Sequence, residues 1–244
     1  MSALALESSR VQEQTAAGAD RKAQFEKQAV LGGLRQLLAE KYPQAEQRPG
    51  GVFRTGWPAL DAREGGLRRA AVTELSGGSG EGALFLHEML RAVCREQCFA
   101  ALVDAARTFD PTTCAMPALA RLLVVFCADA GQAVKSADLL LRDGNLSLVL
   151  LDLQAAPLKQ LGRIPASTWH RLQRLVEQTT SALVVLTPQP MVESARVRLA
   201  MRGRWTLSAQ RRWRNELVAE MGVQVIPRQR EGLRVVEEEE ELSA

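Results

Sequence analysis

Short apolar runs alternate along the chain with longer segments of helical periodicity. Five runs are apolar at nearly every consecutive position, and they span residues 70–75, 100–104, 122–127, 146–151 and 182–187. Continuous apolar runs are typical of strands that are covered on both faces, and the segments between them are long enough for crossover helices. The pattern predicts an α/β fold with a mostly parallel sheet flanked by helices.

The N-terminal fifth of the chain has a different character. Residues 1–20 show little apolar periodicity, which predicts a flexible N-terminus. Residues 21–43 have the spacing of an amphipathic helix, and residues 44–51 are predicted to form a linker to a core at 52–190. The apolar stripe of the helix must be buried, either on the protein's own core or on a partner. Its candidate docking residues are Phe25, Val30, Leu34 and Leu37.

Residues 191–236 form an arginine-rich C-terminal region. Apolar residues and arginines alternate over 196–205, so a strand there would carry arginines along one face. Further short strand candidates at 224–226 and 233–236 predict that antiparallel strands are added toward the C-terminus. The candidate binding residues are Arg196, Arg198, Arg202, Arg204, Trp205, Arg211, Arg212, Trp213 and Arg214. They could bind DNA phosphates and stack on bases, meet an acidic protein surface, or remain a solvated face.

The remaining residues, 237–244, form an acidic tail with five consecutive glutamates, Glu237 to Glu241. Such a run is most often a solvated segment, but it could also mask the arginines within the same molecule. Deletion of the tail should strengthen DNA binding if masking occurs.

The composition indicates a globular protein but does not identify a partner. The 244 residues are 46% hydrophobic and 24% charged, with a net charge of +3. The chain lacks an apolar run long enough to span a membrane, and residues 1–20 do not resemble a secretion signal, so we expect a cytoplasmic protein. Cys94 and Cys98 are spaced like half of a metal site, but a second ligand pair is not evident and no metal is predicted. We expect the four cysteines to be reduced thiols.

An ordered series of motifs over about residues 50–205 resembles the RecA family. Thr55-Gly56 and Leu60-Asp61 precede the first core strand, and a glycine-rich segment at 76–83 follows it, before a helix expected to begin near Leu84. In RecA proteins this segment is the Walker A loop, which binds ATP phosphates. Residues 102–111 resemble the segment with the catalytic glutamate, 129–132 a later Asp-x-Gly turn, 148–152 the Walker B strand and 195–204 an arginine-bearing strand. The resemblance implies a RecA-like core.

The chain departs from the family at the residues that perform the chemistry. A working loop reads GxxxxGK followed by Ser or Thr, whereas Glu81 stands in place of the lysine and Gly82 in place of the hydroxyl residue. The loop is also one residue short, because Leu75 stands where its first glycine would fall, and Ala106 replaces the catalytic glutamate. A carboxylate about 4 Å from a phosphate charge costs roughly 4 kcal/mol at an effective dielectric of 20. We therefore expect a protein without catalytic residues and without a nucleotide cofactor.

The degenerate nucleotide loop consists of Gly77, Gly78, Ser79, Gly80, Glu81 and Gly82, with Asp152 at the end of the Walker B-like strand. Glu81 could occupy the anion site at the helix N-terminus in place of phosphate, and its carboxylate would then point at the loop amides and not into solvent. The glycines could instead serve only to turn the chain sharply, and Asp152 could be only a residue that accepts hydrogen bonds at the strand end.

Among RecA-like proteins with degraded loops, the chain is similar to the bacterial ImuA group in its N-terminal helix, its core and residues 201–213. That resemblance implies an SOS-induced accessory protein of mutagenic translesion DNA synthesis, with RecA, ImuB and an error-prone DnaE-type polymerase as partners and DNA as a further candidate. Two alternatives remain open. One is a SulA-type cell-division inhibitor that binds FtsZ, and the other is an atypical RecA-like ATPase.

Overall fold

A computed structural model describes residues 51–203, 209 and 211–227. The strands are β1 (Val52–Phe53), β2 (Leu67–Arg68), β3 (Ala71–Ser76), β4 (Ala100–Asp104), β5 (Leu122–Phe126), β6 (Leu148–Asp152), β7 (Ala182–Thr187), β8 (Val197–Arg202) and β9 (Gly222–Val225). The helices are α1 (Pro58–Glu64), α2 (Ser79–Arg95), α3 (Met116–Leu119), α4 (Ala130–Asp143), α5 (Leu158–Leu161), α6 (Ala166–Glu177) and α7 (Arg214–Glu220), with a short 3-10 helix at Pro111–Thr113.

Seven strands form one sheet in the order β5-β4-β6-β7-β3-β8-β9. All neighbours pair in parallel except β8 and β9, which are antiparallel. β1 and β2 form a separate antiparallel pair. The predicted fold class is confirmed: an α/β core with a mostly parallel sheet and an antiparallel strand added toward the C-terminus. The five predicted core strands all form, with ends that shift by at most two residues.

Each face of the sheet packs against its own set of helices. One cluster contains Trp57, Leu60, Phe85 and Val218, so α1, α2 and α7 cover that face. The other contains Val134, Leu141, Trp169 and Leu172 from α4 and α6. Burial on both sides explains why the strands at the centre of the sheet are apolar at successive positions. Within the described residues, none of the helices is both long and apolar enough to cross a membrane.

The Thr-Gly and Leu-Asp motifs before β3 are joined by one carboxylate. Asp61 Oδ1 accepts hydrogen bonds from the Thr55 backbone N–H at 3.0 Å and the Thr55 hydroxyl at 2.7 Å, and Oδ2 accepts from the Gly56 N–H at 2.8 Å. Gly56 has a φ of +80°, a conformation that glycine adopts without strain. Nearby, the Trp57 Nε1–H donates to the Met221 carbonyl at 2.7 Å and thereby connects α1 to the end of α7.

The arginine-rich strand is an integral part of the main sheet, where β8 lies between β3 and β9. Its predicted alternation is confirmed, since Leu199 and Met201 lie in the core while Arg196 and Arg202 are exposed. The predictions for residues 1–20, 21–43 and most of the 44–51 linker, including Phe25, Val30, Leu34 and Leu37, lie outside the described residues. The same holds for 204–208, with Arg204 and Trp205, for the strand at 233–236 and for the acidic tail at 237–244.

The two cysteines with metal-like spacing do not share a helix face. Cys94 belongs to α2, which ends at Arg95, and Cys98 follows the helix with its thiol directed to the Val93 carbonyl. All four cysteines are free thiols. Cys98 and Cys127 are buried, and burial raises the pKa of the Cys98 thiol above its ordinary value.

Candidate nucleotide loop

The glycine-rich segment lies at the carboxyl edge of the sheet, between β3 and α2. The strand ends at Ser76 and the helix begins at Ser79, so only Gly77 and Gly78 are outside regular structure. The prediction that the helix begins near Leu84 was wrong. Glycine is unfavourable inside helices, which made 79–83 look like loop, but the first turn of α2 includes Gly80 and Gly82. A phosphate-binding loop presents an open ring of backbone amides. Here the residues from Ser79 onward belong to the first turn of α2 and not to such a loop.

The side chain of Gln154 lies against this short loop. Its Nε2 donates hydrogen bonds to the Gly77 carbonyl at 3.1 Å and to the Gly78 carbonyl at 3.0 Å. A Cβ atom added at Gly82 would fall 1.5 Å from Gln154 Oε1, so a side chain at position 82 and Gln154 cannot occupy their present places together. Gly82 replaces the hydroxyl residue of a working loop, and Gln154 takes the space that a side chain there would need.

Close approach, and not an unusual backbone conformation, explains the glycines of the loop. Met201 lies 3.1 Å from the Cβ position at Gly77, and Glu81 Oε2 lies 2.8 Å from that at Gly78. Gly78 itself has an extended conformation with a φ of −73°. The positive-φ glycines of the described chain lie elsewhere, at Gly56, Gly65, Gly66 and Gly144. A close neighbour therefore accounts for glycine at positions 77, 78 and 82.

Glu81 turns back toward the start of α2. Its position over Gly78, the residue that precedes the helix, brings a carboxylate to the helix end where the dipole favours negative charge. The side chain is half-buried. This placement agrees with the hypothesis that Glu81 stands in for phosphate, although contact with the loop amides stays a prediction.

Two aspartates meet beside the loop, because Asp104 at the end of β4 is paired in register with Asp152 at the end of β6. Asp104 accepts hydrogen bonds from the Ala106 and Phe109 N–H groups, and Asp152 accepts from the Gln154 N–H. Burial raises the pKa of Asp152 to about 6, and repulsion from Asp104 adds to the effect. Asp152 therefore orients the segment that carries Gln154, and Ala106 offers no carboxylate for catalysis.

A mostly apolar cavity of about 760 Å³ adjoins the loop. Leu84, Leu90 and Phe109 line it, together with Asp152 and Gln154. Two carboxylates, those of Asp104 and Asp152, lie side by side at the strand ends, and a third, that of Glu81, lies over Gly78 at the start of α2.

The predicted binding arginines of β8 have different environments. Arg198 donates from Nε to Glu74 Oε2 at 2.8 Å, and the Glu74 side chain is fully buried. Glu74 Oε1 accepts from the Thr187 hydroxyl and from the Met191 and Val192 N–H groups. Arg198 is thus engaged inside the protein, whereas Arg196 and Arg202 are exposed, with Arg202 hydrogen-bonded to Gln224.

The second group of predicted residues lies at the start of α7. Trp213 is 77% exposed and Arg211 is also exposed. Arg212 is paired with Glu216 and Glu220, and the hydrogen bond to Glu220 raises the pKa of its guanidinium. Arg214 donates to the Thr113 carbonyl at 3.1 Å. Arg211 and Trp213 are therefore the residues of this group best presented to a partner.

The fold is a RecA-like α/β core. Its candidate nucleotide loop has Glu81 and Gly82 at the positions of the lysine and the hydroxyl residue, and Gln154 is hydrogen-bonded to it. The chain is 34% identical to RecA of Clavibacter michiganensis over 140 residues, which cover 55% of this chain and 37% of that protein. It is 34% identical over the same length to RecA of Leifsonia xyli and 36% identical over 115 residues to RecA of Chlorobaculum tepidum. The chain spans only about a third of the length of these curated relatives, between 33% and 38%. No protein-family model matches it.

Sequence reasoning missed two residues that shape the site. Gln154 follows the Walker B-like aspartate by two positions, and the glycine at position 82 was the available hint that another side chain fills this space. Glu74 lies inside an apolar run, where an isolated carboxylate requires a buried partner. Both contacts are formed between residues far apart in the sequence.

Proposed function

We propose that this protein is a non-hydrolysing, RecA-like accessory protein that acts by binding partners during SOS-induced mutagenic translesion DNA synthesis. Its partners in this proposal are RecA, ImuB and an error-prone DnaE-type polymerase, and exposed arginines offer a contact to DNA. The similarity to RecA proteins and the resemblance to the ImuA group support this role.

The observation that carries the proposal is the position of Gln154. Its amide satisfies two loop carbonyls, and its oxygen occupies the space beside Gly82. An ATP molecule would have to break both hydrogen bonds and approach Glu81 in place of a lysine. The loop is therefore complete without a ligand, which suits a scaffold better than an ATPase.

Nucleotide binding and turnover test the first half of the proposal. We expect no magnesium-dependent ATP binding in the micromolar range and no turnover, with the protein alone or with RecA and single-stranded DNA. Gln154→Ala alone should not restore binding, because Glu81 and Gly82 remain. Micromolar ATP binding together with turnover that disappears in Asp152→Ala would contradict the proposal.

Partner capture tests the second half. The full chain should retain RecA, ImuB or the polymerase from damage-treated cells, and capture should fall at least tenfold in an Arg211→Ala/Trp213→Ala variant. Arg212→Ala is the matched control, because Arg212 already pairs with Glu216 and Glu220. Capture of FtsZ in place of RecA would favour the cell-division alternative, and equal loss in both variants would refute this surface.

A further inference from the structure

A cleft of about 410 Å³ lies at the amino edge of the parallel strands, at the opposite end of β3 from the nucleotide loop. Its walls are the end of α1, β2, the start of β8 and the segment that leaves β9. Its charged lining residues are Glu64, Arg68, Arg196 and Arg198. Open α/β sheets bind ligands outside the carboxyl ends of their strands, so the fold alone does not explain a basic cleft at this edge.

Two of the three arginines in the cleft have no charge partner. Arg68 and Arg196 are exposed, and within the described part of the chain neither side chain forms an ion pair or a hydrogen bond. Arg196 and Arg198 lie on the same strand face, two residues apart. The one carboxylate among the lining residues is that of Glu64, and its Oε1 lies 3.8 Å from the Nε of Arg63. The cleft therefore has an excess of positive charge.

Arg198 is a fixed part of the cleft wall. Its Nε lies 2.8 Å from Glu74 Oε2, and its side chain is only 12% exposed. The other oxygen of Glu74 accepts hydrogen bonds from the Thr187 hydroxyl and from two backbone N–H groups. Glu74 is therefore held inside the protein and cannot neutralise Arg68 or Arg196. The shape of this wall does not depend on a ligand, which lowers the entropic cost of binding one.

The rest of the lining indicates the kind of ligand. Val197, Val225 and Ile226 give the cleft an apolar side, and none of the described lining residues is aromatic. A single-stranded nucleic acid is usually held by aromatic side chains that stack on its bases, so the lining does not favour that ligand. Arginine next to apolar surface is typical of protein interfaces, and guanidinium groups pair with carboxylates through two parallel hydrogen bonds. The cleft therefore suits an acidic protein segment.

We propose that this cleft docks a short acidic segment of a partner protein. Carboxylates of the segment pair with Arg68 and Arg196, and an apolar side chain between them packs on Val225 and Ile226. Charge complementarity to two unpaired arginines is the basis for an acidic partner. The cleft is separate from the nucleotide loop and from the exposed residues at the start of α7, so it stands independently of the proposed function.

The test measures binding of a fluorescent peptide, Glu-Val-Glu-Val-Glu, to the full chain. A peptide with lysine in place of each glutamate and a fluorescent oligothymidylate serve as comparison probes. The cleft variant is Arg68→Ala/Arg196→Ala, which leaves the buried pair between β3 and β8 intact. The matched control is Arg163→Ala/Arg174→Ala, which removes two arginines from exposed positions that do not line the cleft. Thermal melting of each variant checks that it is folded.

We expect the cleft variant to bind the acidic peptide about tenfold more weakly, while the control stays within about twofold of the original chain. Glu64→Gln removes the opposing carboxylate and should strengthen binding about twofold, a gain that damage to the fold would not produce. The lysine peptide should not bind at the cleft. Equal losses in the two arginine variants, weaker binding in Glu64→Gln, or no binding of the acidic peptide at about 1 mM would overturn the proposal.

Two other occupants are distinguished by the same measurements. If only oligothymidylate binds and the cleft variant loses it, the cleft is a nucleic-acid site and the proposal is wrong. The chain also has its own run of glutamates, Glu237 to Glu241. The peptide is therefore also added to a chain with glutamine at these five positions. Binding that occurs only in that chain would show that the run occupies the cleft, and it would overturn docking of a partner.

Discussion

Asp152→Asn should stabilise the folded protein at neutral pH. The carboxyl group is only 8% exposed, and burial raises its pKa from 3.8 to about 6. This pKa difference corresponds to about 3 kcal/mol, by which the ionised group lowers the free energy of unfolding at neutral pH. Asparagine retains an oxygen that can accept from the Gln154 N–H, so the substitution removes the charge without removing this hydrogen bond.

The dependence of the free energy of unfolding on pH shows whether the charge of Asp152 causes this gain. Below about pH 4 the carboxyl group is protonated in the folded and unfolded states and does not affect stability. Between about pH 4 and 6 the unfolded chain releases this proton while the folded protein keeps it, so the free energy of unfolding decreases. Above about pH 6 the group is ionised in both states, and the full loss of about 3 kcal/mol in the free energy of unfolding remains. The gain from Asp152→Asn should therefore be only about 0.5 kcal/mol at pH 4 and about 3 kcal/mol at pH 7.5.

Urea denaturation at the two pH values measures this gain. Asp104→Asn is the matched control on the neighbouring strand: both oxygens of Asp104 accept backbone N–H groups, so losing one acceptor should destabilise the protein by about 1–3 kcal/mol. An equal gain for Asp152→Asn at both pH values would refute the electrostatic argument. Stabilisation of the original chain by Mg²⁺ that is absent from Asp152→Asn would identify a retained metal ligand and contradict the scaffold proposal.

Three further substitutions test other parts of the structure. Arg198→Ala should lower the free energy of unfolding, measured in urea, by about 3–5 kcal/mol, because Glu74 would stay buried without its charge partner. Arg196→Ala on the same strand face should change it by less than about 0.5 kcal/mol. Similar losses in the two variants would contradict the role of the Arg198–Glu74 pair. Gly82→Thr should destabilise the protein by about 1–3 kcal/mol, because the new side chain meets Gln154. Much of this loss should disappear when Gln154→Gly is also present. Additive effects of the two substitutions would exclude a contact between positions 82 and 154. Trp57→Phe should cost about 1–3 kcal/mol in thermal melts, because the Met221 carbonyl loses a buried donor; an unchanged melting temperature would show that water replaces it.

The core strands could be predicted because their signal is local. A strand buried on both faces is apolar at successive positions, and the runs at 100–104 and 182–187 coincide with β4 and β7. The alternation in β8 was also visible, since one of its faces packs on the core. The role of Arg198 was hidden, because its partner Glu74 belongs to another strand and only the fold brings them together. The start of α2 was misjudged because glycines have a low helix propensity, although Gly82 lies in the first turn of the helix packed against Gln154.

The differences at the nucleotide loop depend on one another. Gln154 can lie on the loop only while position 82 lacks a side chain, and a hydroxyl residue at 82 would force it away from the carbonyls of Gly77 and Gly78. Once Gln154 is in place, those carbonyls need neither ligand nor water, and an ATP molecule must offset the loss of two hydrogen bonds worth about 0.5–1.5 kcal/mol each. Glu81→Lys alone therefore removes the repulsion but leaves the loop filled. We expect that restoring a nucleotide site would require that change together with a hydroxyl residue at 82 and a smaller residue at 154, because Gln154 and Gly82 fit together on the loop.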